Sequence, residues 1–192
     1  MDEVDSYLRR LRAAIDRLPS EPLAELGERL YRAYRDEKQV FTLGNGGSAS
    51  TASHIAADLA KNTIGANMRR FRITSLNDNT AILTALANDL GYENVFSEQL
   101  QNLIRPGDLL VAVSASGNSP NVIKAIRYAQ SQCAEVAAIL GFDGGQAAQL
   151  ADLAVVVASD HYGVVEDVHL VINHILVEHF RTRLADAQPW VV

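Results

Sequence analysis

Residues 111–124 read Val-Ala-Val-Ser-Ala-Ser-Gly-Asn-Ser-Pro-Asn-Val-Ile-Lys, and this stretch predicts a strand, a tight turn and the start of a helix. The strand is buried and covers residues 109–113. The helix begins at Pro120, because proline suits the first helical position, where its missing N–H would have no partner. A strand that leads through a short turn into a helix is the repeating unit of an α/β fold.

The turn itself carries three hydroxyls, those of Ser114, Ser116 and Ser119. The first turn of a helix offers unpaired N–H groups and a partial positive charge, so an anion is favoured there. We interpret the turn as a phosphate cradle that lacks a lysine. The alternative is an ordinary turn in which Ser119 caps the helix and the other two serines face water.

Composition limits the classes of function. The chain has 192 residues, 48% of them hydrophobic, which suits one soluble domain with a helical extension. The net charge of −6 argues against a general nucleic-acid binder. The single cysteine, Cys133, excludes an internal disulfide, and neither a signal peptide nor a membrane span is predicted. We expect a cytoplasmic protein with no nucleic-acid or membrane partner.

Two apolar stripes at helical spacing predict an N-terminal helical hairpin over residues 1–38, which must bury those stripes against the core or another subunit. We assign the hairpin to oligomerisation and residues 39–192 to the main domain. There, strands and helices alternate, which predicts a parallel sheet with helices on both faces. The strands are predicted at 40–43, 72–76, 109–113, 135–140 and 153–157, and the helices at 49–59, 80–88, 93–104, 120–132, 146–151 and 164–184.

A glycine-rich turn, residues 44–48, follows the first of these strands. It lies at the same sheet edge as the serine turn, where ligands of parallel sheets bind. Its sequence, Gly-Asn-Gly-Gly-Ser, matches neither the dinucleotide fingerprint nor the P-loop. A plain tight turn is an equally good interpretation of these residues alone.

Acidic and imidazole side chains follow on two helices. His54 and Asp58 are four residues apart, so they share one helix face and can contact one ligand or metal ion. Glu166 and His174 on the closing helix are separated by a rise of about 12 Å. One ion reaches both only if His174 leans back, if Glu166 precedes the regular helix, or if the ligands come from different subunits. Asn88 and Asp89 end another helix, either as part of a C-cap or as partners for sugar hydroxyls.

Together these motifs resemble the sugar isomerase (SIS) domain family, most closely its phosphoheptose isomerase branch. The resemblance runs from residue 40 to the end of the last helix. It rests on the motifs at 44–48, 54–58, 87–89, 114–125, 141–145 and 166–174. It implies a five-stranded, flavodoxin-like α/β/α sandwich and a homotetramer with active sites between subunits. It also implies conversion of sedoheptulose 7-phosphate to D-glycero-D-manno-heptose 7-phosphate in envelope-sugar biosynthesis.

The resemblance also implies roles for individual positions. Asp58 is the base and His174 the acid. One zinc ion per subunit is bound by His54, Asp58, Glu166 and His174. Substrate contacts are expected from Asn45, Gly46, Gly47, Ser48, Asn88, Asp89, Ser114, Ala115, Ser116, Ser119 and Glu166.

This chain departs from the isomerase pattern at several of these positions. Asp58 replaces a glutamate, Glu166 replaces a glutamine, and Ala115 stands where threonine is frequent. Three alternatives therefore stay open: an isomerase for a different phosphosugar, a non-catalytic SIS tetramer that binds the replication initiator, and a sugar-phosphate sensor.

Overall fold

The computed structural model describes residues 2–64 and 69–186, within which eight α-helices and five strands follow one another. The strands are β1 Val40–Leu43, β2 Ile73–Ser75, β3 Leu109–Ser114, β4 Glu135–Leu140 and β5 Leu153–Val156. The helices are α1 Asp2–Asp16, α2 Ser20–Arg35, α3 Gly47–Asn62, α4 Thr80–Leu90, α5 Ser97–Leu103, α6 Pro120–Ser131, α7 Gly145–Leu150 and α8 Tyr162–Asp186.

All the strands run parallel, in the order β2-β1-β3-β4-β5. This is the flavodoxin-like order, and the expected fold class is confirmed. The direction of winding reverses between β1 and β3, which pair from Val40 opposite Leu109 to Leu43 opposite Ala112. The glycine turn after β1 and the serine turn after β3 therefore flank the point where ligands of such sheets bind.

Two hydrophobic clusters lie on the two faces of the sheet. The first includes Leu26 of α2, Ile55 of α3 and Ile172 of α8. The second includes Leu100 of α5 and Ile126 of α6. Every residue of β3 is buried, as expected for a central strand covered on both faces.

Both helices predicted within residues 1–38 form, and their apolar stripes have different partners. The α2 stripe enters the first cluster, where Leu26 and Leu30 are fully buried. In α1 only Ala14 is buried, while Val4 and Leu8 stay 62% and 39% exposed. Helix α2 thus enters the main core along its stripe, whereas α1 reaches it through Ala14, with Tyr7 and Leu11 packed against it, and leaves Val4 and Leu8 at the surface.

The helix predicted over residues 93–104 is wrong in its length. The chain instead forms a 3-10 turn at Tyr92–Asn94 and then α5. Between them Val95 and Phe96 have no exposed surface and pack into the second cluster, so the break buries both side chains. The apolar tail 189–192 lies outside the described residues. No helix of the described part is long and apolar enough to cross a membrane.

Candidate active site

The glycine turn and the serine turn are joined by a pair of side-chain amides. Asn45 Nδ2 donates to Asn121 Oδ1 over 2.8 Å, and Asn121 Nδ2 donates to Asn45 Oδ1 over 2.9 Å. Asn121 is buried in the first turn of α6, directly after the serine turn. Tyr92 Oη also donates to Asn45 Oδ1 over 2.9 Å. The side chain of Asn45 is therefore fixed from two sides.

The glycine turn needs glycine at two positions for different reasons. Gly46 has a φ of +55°, a conformation that other residues rarely adopt, and a Cβ there would meet only open space. A Cβ on Gly47, the first residue of α3, would overlap the carboxylate of Glu166. The base of the turn is held by Asn77, which exchanges hydrogen bonds of 3.1 and 2.9 Å with the backbone of Gly44. The turn thus presents an open backbone surface and a helix N-terminus.

The serine turn is shaped by its own hydroxyls. Ser114 Oγ accepts the N–H of Gly117 over 3.1 Å, and Ser116 Oγ accepts that of Asn118 over 3.3 Å. Both hydroxyl protons remain available to a ligand. Ser119 precedes α6 but makes no side-chain capping bond, so the alternative in which it caps the helix is not what the structure shows. Ala115 is buried and offers only its backbone.

His54, Asp58 and His174 form a cluster in which one ligand atom from each lies within 4.8 Å of the others. Asp58 Oδ2 lies 3.1 Å from His54 Nε2 and 4.0 Å from His174 Nε2. The two imidazole rings are arranged edge to face, with their centroids 5.3 Å apart. The His174 side chain is 62% exposed and that of Asp58 only 17%. Residues 116 positions apart in sequence are thereby brought together by the packing of α3 against α8.

This donor set fits a zinc ion. Two imidazole nitrogens and a carboxylate oxygen are ordinary zinc ligands. Two ligand atoms on tetrahedral zinc are about 3.4 Å apart, which lies between the two distances measured from Asp58. Because the His174 side chain is largely exposed, a further ligand or a substrate can reach the cluster from that side.

Asp58 is held by two amides that point at its two oxygens. Asn62 Nδ2, one turn further along α3, donates to Oδ1 over 2.9 Å. Asn173 Nδ2 on the facing helix α8 donates to Oδ2 over 2.8 Å. Asn173 has no exposed surface, and its other polar atom, Oδ1, has no hydrogen-bond partner among the described residues. The carboxylate is therefore oriented by the protein rather than free to rotate.

Glu166 lies outside this cluster. It is the fifth residue of α8, so the option that it precedes the regular helix is excluded. Its carboxylate packs on the Cα of Gly47, at the N-terminus of α3, where negative charge is favoured. Its position suits the predicted contact with substrate at the glycine turn. Its role as the fourth metal ligand stays a prediction.

His169 lies in the core and connects α8 to the end of β4. It is fully buried, and its Nε2 donates to the carbonyl of Leu140 over 3.1 Å, at the end of β4. Burial disfavours the charged imidazolium and lowers the pKa of His169 to about 4, against a smaller opposing effect of the hydrogen bond. His169 is therefore a neutral donor in the interior at neutral pH.

Some site residues were predicted and others were missed. Asn88 and Asp89 are exposed and hydrogen bond with each other over 2.7 Å, so the structure does not connect them to the turns, and their contact with substrate stays a prediction. The positioning contacts of Asn121 and Asn173 were not foreseen. Asn121 lies within the serine motif and Asn173 shares a helix ridge with Glu166, but no sequence pattern shows that an amide faces another side chain.

Comparisons with known proteins place this geometry in one family. The model of the SIS domain matches residues 4–141. Phosphoheptose isomerase from Chlorobaculum parvum is 40% identical over 90% of this chain and 83% of its own length. Phosphoheptose isomerase from Mycobacterium tuberculosis is 38% identical over 92% of this chain and 89% of its own length. The solved structure of phosphoheptose isomerase from Neisseria gonorrhoeae superposes with a TM-score of 0.85 at 30% identity, covering 94% of this chain and 96% of that one.

Proposed function

This chain belongs to the SIS domain family, and we propose that it is a phosphoheptose isomerase that converts sedoheptulose 7-phosphate to D-glycero-D-manno-heptose 7-phosphate. The observation that carries the proposal is the cluster of His54, Asp58 and His174, which α3 and α8 bring together. Relatives named for this activity match over most of their length. The cluster supplies the acid and base that such a reaction needs.

Isomerisation of a ketose moves a proton between neighbouring carbons through an enediol. Asp58 takes a proton from C1 while His174 gives one to the oxygen at C2. The O1 proton then leaves and C2 receives a proton, which yields the aldose. The ordered carboxylate of Asp58 suits the base role, because its orientation is already fixed when substrate arrives.

The serine turn would bind the far end of the sugar, and the glycine turn would line the sugar itself. The hydroxyls of Ser114, Ser116 and Ser119 and the N-terminus of α6 would hold the phosphate. His54 lies seven residues along α3 from Gly47, a rise of about 10 Å, so the helix separates the glycine turn from the acid–imidazole cluster. Binding energy gained at the phosphate would position the reacting carbons.

A metal ion fits the same arrangement. His54, Asp58 and His174, with Glu166 as the proposed fourth ligand, would hold one Zn²⁺ per subunit, whose Lewis acidity would polarise the substrate carbonyl. If His174 bound the ion through one ring nitrogen, it would give its proton from the other. Metal analysis of the purified protein tests this assignment. About one zinc per chain is expected, and its removal by a chelator should lower activity.

A homotetramer with active sites between subunits is part of the proposal. The exposed apolar stripe of α1 supports it, as does α4, an apolar helix in which no residue is buried within the chain. The open side of His174 leaves room for groups from a neighbouring subunit.

Two variants test the roles at the centre of the site. Asp58→Asn and His174→Ala should each lower kcat on sedoheptulose 7-phosphate by about 10²- to 10⁴-fold, the usual contribution of a general acid or base. His179→Ala, on the same helix five residues further along, is the matched control and should keep full activity. Full activity of Asp58→Asn or His174→Ala would refute the role of that residue.

A further inference from the structure

Asn173 is an amide in an apolar interior, and its orientation is determined by one contact. The side chain has no exposed surface. Its Nδ2 lies 2.8 Å from Asp58 Oδ2. An ionised carboxylate can only accept hydrogen bonds, so the NH₂ group must face Asp58 and the carbonyl oxygen must face away.

The carbonyl end of the Asn173 amide makes no hydrogen bond within the described residues. Asn173 Oδ1 is buried and has no partner among the described residues. A buried acceptor without a partner destabilises the folded state. The neighbouring inward-facing positions of α8, such as Val168, Ile172 and Leu176, carry the apolar side chains that such a core prefers. Stability alone therefore does not explain an asparagine at position 173.

The contact with Asp58 also differs from the one made by Asn62. Asn62 lies on the same helix as Asp58, so it moves with the carboxylate. Asn173 lies on α8, next in sequence to His174. A hydrogen bond from Asn173 thus connects the helix of Asp58 to the helix of His174 and sets the separation of the two groups.

We propose that Asn173 is a positioning residue, whose amide holds the carboxylate of Asp58 in the orientation in which it faces His54 and His174. The inference rests on the proposed function, in which Asp58 is the base and a metal contact. The oxygen that accepts from Asn173, Oδ2, is also the one that lies 3.1 Å from His54 Nε2 and 4.0 Å from His174 Nε2, so the amide constrains the atom that both imidazoles face. Such outer contacts orient metal ligands, and losing one typically costs a metal site about 10- to 100-fold in affinity or activity.

Asn173→Leu and Asn173→Ala test the inference. Both remove the donor, and the alanine variant avoids any overpacking by the larger side chain. The matched control is Gln99→Leu, which removes a buried amide whose Nε2 donates to the carbonyls of Leu76 and Val95, in the other cluster. Each protein is measured for kcat and KM on sedoheptulose 7-phosphate, for the Zn²⁺ affinity of its metal-free form, and for Tm.

Both Asn173 variants should lose about 10- to 100-fold in kcat or Zn²⁺ affinity, the usual effect of removing an outer contact, with KM within about threefold of wild type. Their Tm should not fall below that of Gln99→Leu, which should keep wild-type kcat and Zn²⁺ affinity. Changes below about threefold in both kcat and Zn²⁺ affinity would overturn the inference. So would variants that do not fold, because Asn173 would then be structural.

The two readouts separate this inference from the proposed function. If the wild type does not isomerise the sugar but binds zinc, the proposed function fails and the affinity comparison still decides the role of Asn173. If the wild type isomerises the sugar without binding zinc, the comparison of kcat values decides the role of Asn173. A wild type that does neither would overturn both.

Discussion

Asn45 and Asn121 hold each other by two reciprocal amide hydrogen bonds, 2.8 and 2.9 Å long, across the gap between the glycine turn and the serine turn. One residue follows β1 and the other follows β3, so the pair connects the two strands at which the sheet changes its winding direction. This side-chain pair therefore adds to the pairing of β1 with β3 in fixing the relative position of the two proposed substrate-binding turns.

Removing this pair should loosen substrate binding. We expect Asn121→Ala to raise KM for sedoheptulose 7-phosphate and to lower the free energy of unfolding by about 1–3 kcal/mol, because two half-buried hydrogen bonds are lost. Gln130→Ala removes an amide at the opposite end of α6, where Nε2 donates to the carbonyl of Leu150, and should leave KM unchanged. Steady-state kinetics with urea unfolding measures both effects. Equal KM values for the two variants would contradict the account.

The serine turn should determine affinity for the phosphate group. We expect Ser116→Ala and Ser119→Ala each to raise KM for the phosphosugar about 10-fold, the loss of one charge-assisted hydrogen bond, and to weaken inhibition by inorganic phosphate in parallel. Ser131→Ala is the control, since this serine lies in the last turn of the same helix and donates to the carbonyl of Tyr128. Unchanged phosphate inhibition in both test variants would exclude the turn as the phosphate site.

The packing of Glu166 on Gly47 predicts that substitutions at these two positions have non-additive effects on activity. A Cβ at position 47 would displace the carboxylate of Glu166 while the helix tolerates alanine, so Gly47→Ala should stay folded and lose about 10-fold in kcat/KM. In the Glu166→Ala background the same change should have almost no further effect. Kinetics of the four proteins of this cycle measure the coupling. Additive effects would show that the contact does not serve the reaction.

Acid should destabilise the fold through His169. Its folded pKa of about 4 lies below the usual 6.5, so the unfolded chain binds the proton more tightly. The stability of the neutral form is complete above pH 6.5 and falls as the pH drops towards 4, by about 3 kcal/mol. His169→Gln keeps a donor for the carbonyl of Leu140 but does not titrate, so its stability should fall less over this range. His179→Gln, exposed on the same helix, should retain the wild-type pH dependence in urea titrations at each pH.

The fold was predictable because local patterns determine it. Strands β1 and β4 were predicted to the residue, since buried apolar runs bounded by turn residues leave little choice. The break before α5 was not predicted, because it depends on the burial of Val95 and Phe96 in a core assembled from distant segments. Helical spacing showed where a residue lies on its own helix, but not which residue it faces.

The candidate site was predictable to the same degree. His54 and Asp58 share a helix face, which spacing reveals directly. The closing helix offered His174 as a candidate ligand, but its approach to Asp58 depends on how α3 packs against α8, which spacing does not reveal. The contact between Asn173 and Asp58 joins residues 115 positions apart and follows no spacing rule, so only the structure shows it.

Isomerisation of sedoheptulose 7-phosphate in D₂O, followed by NMR, tests the central claim most directly. Because the reaction passes through an enediol that Asp58 helps to form, the account predicts a heptose 7-phosphate that carries deuterium at C2. The Asp58→Asn variant should form it at least about 10²-fold more slowly. No conversion by the wild-type protein, or undiminished conversion by Asp58→Asn, would contradict the account.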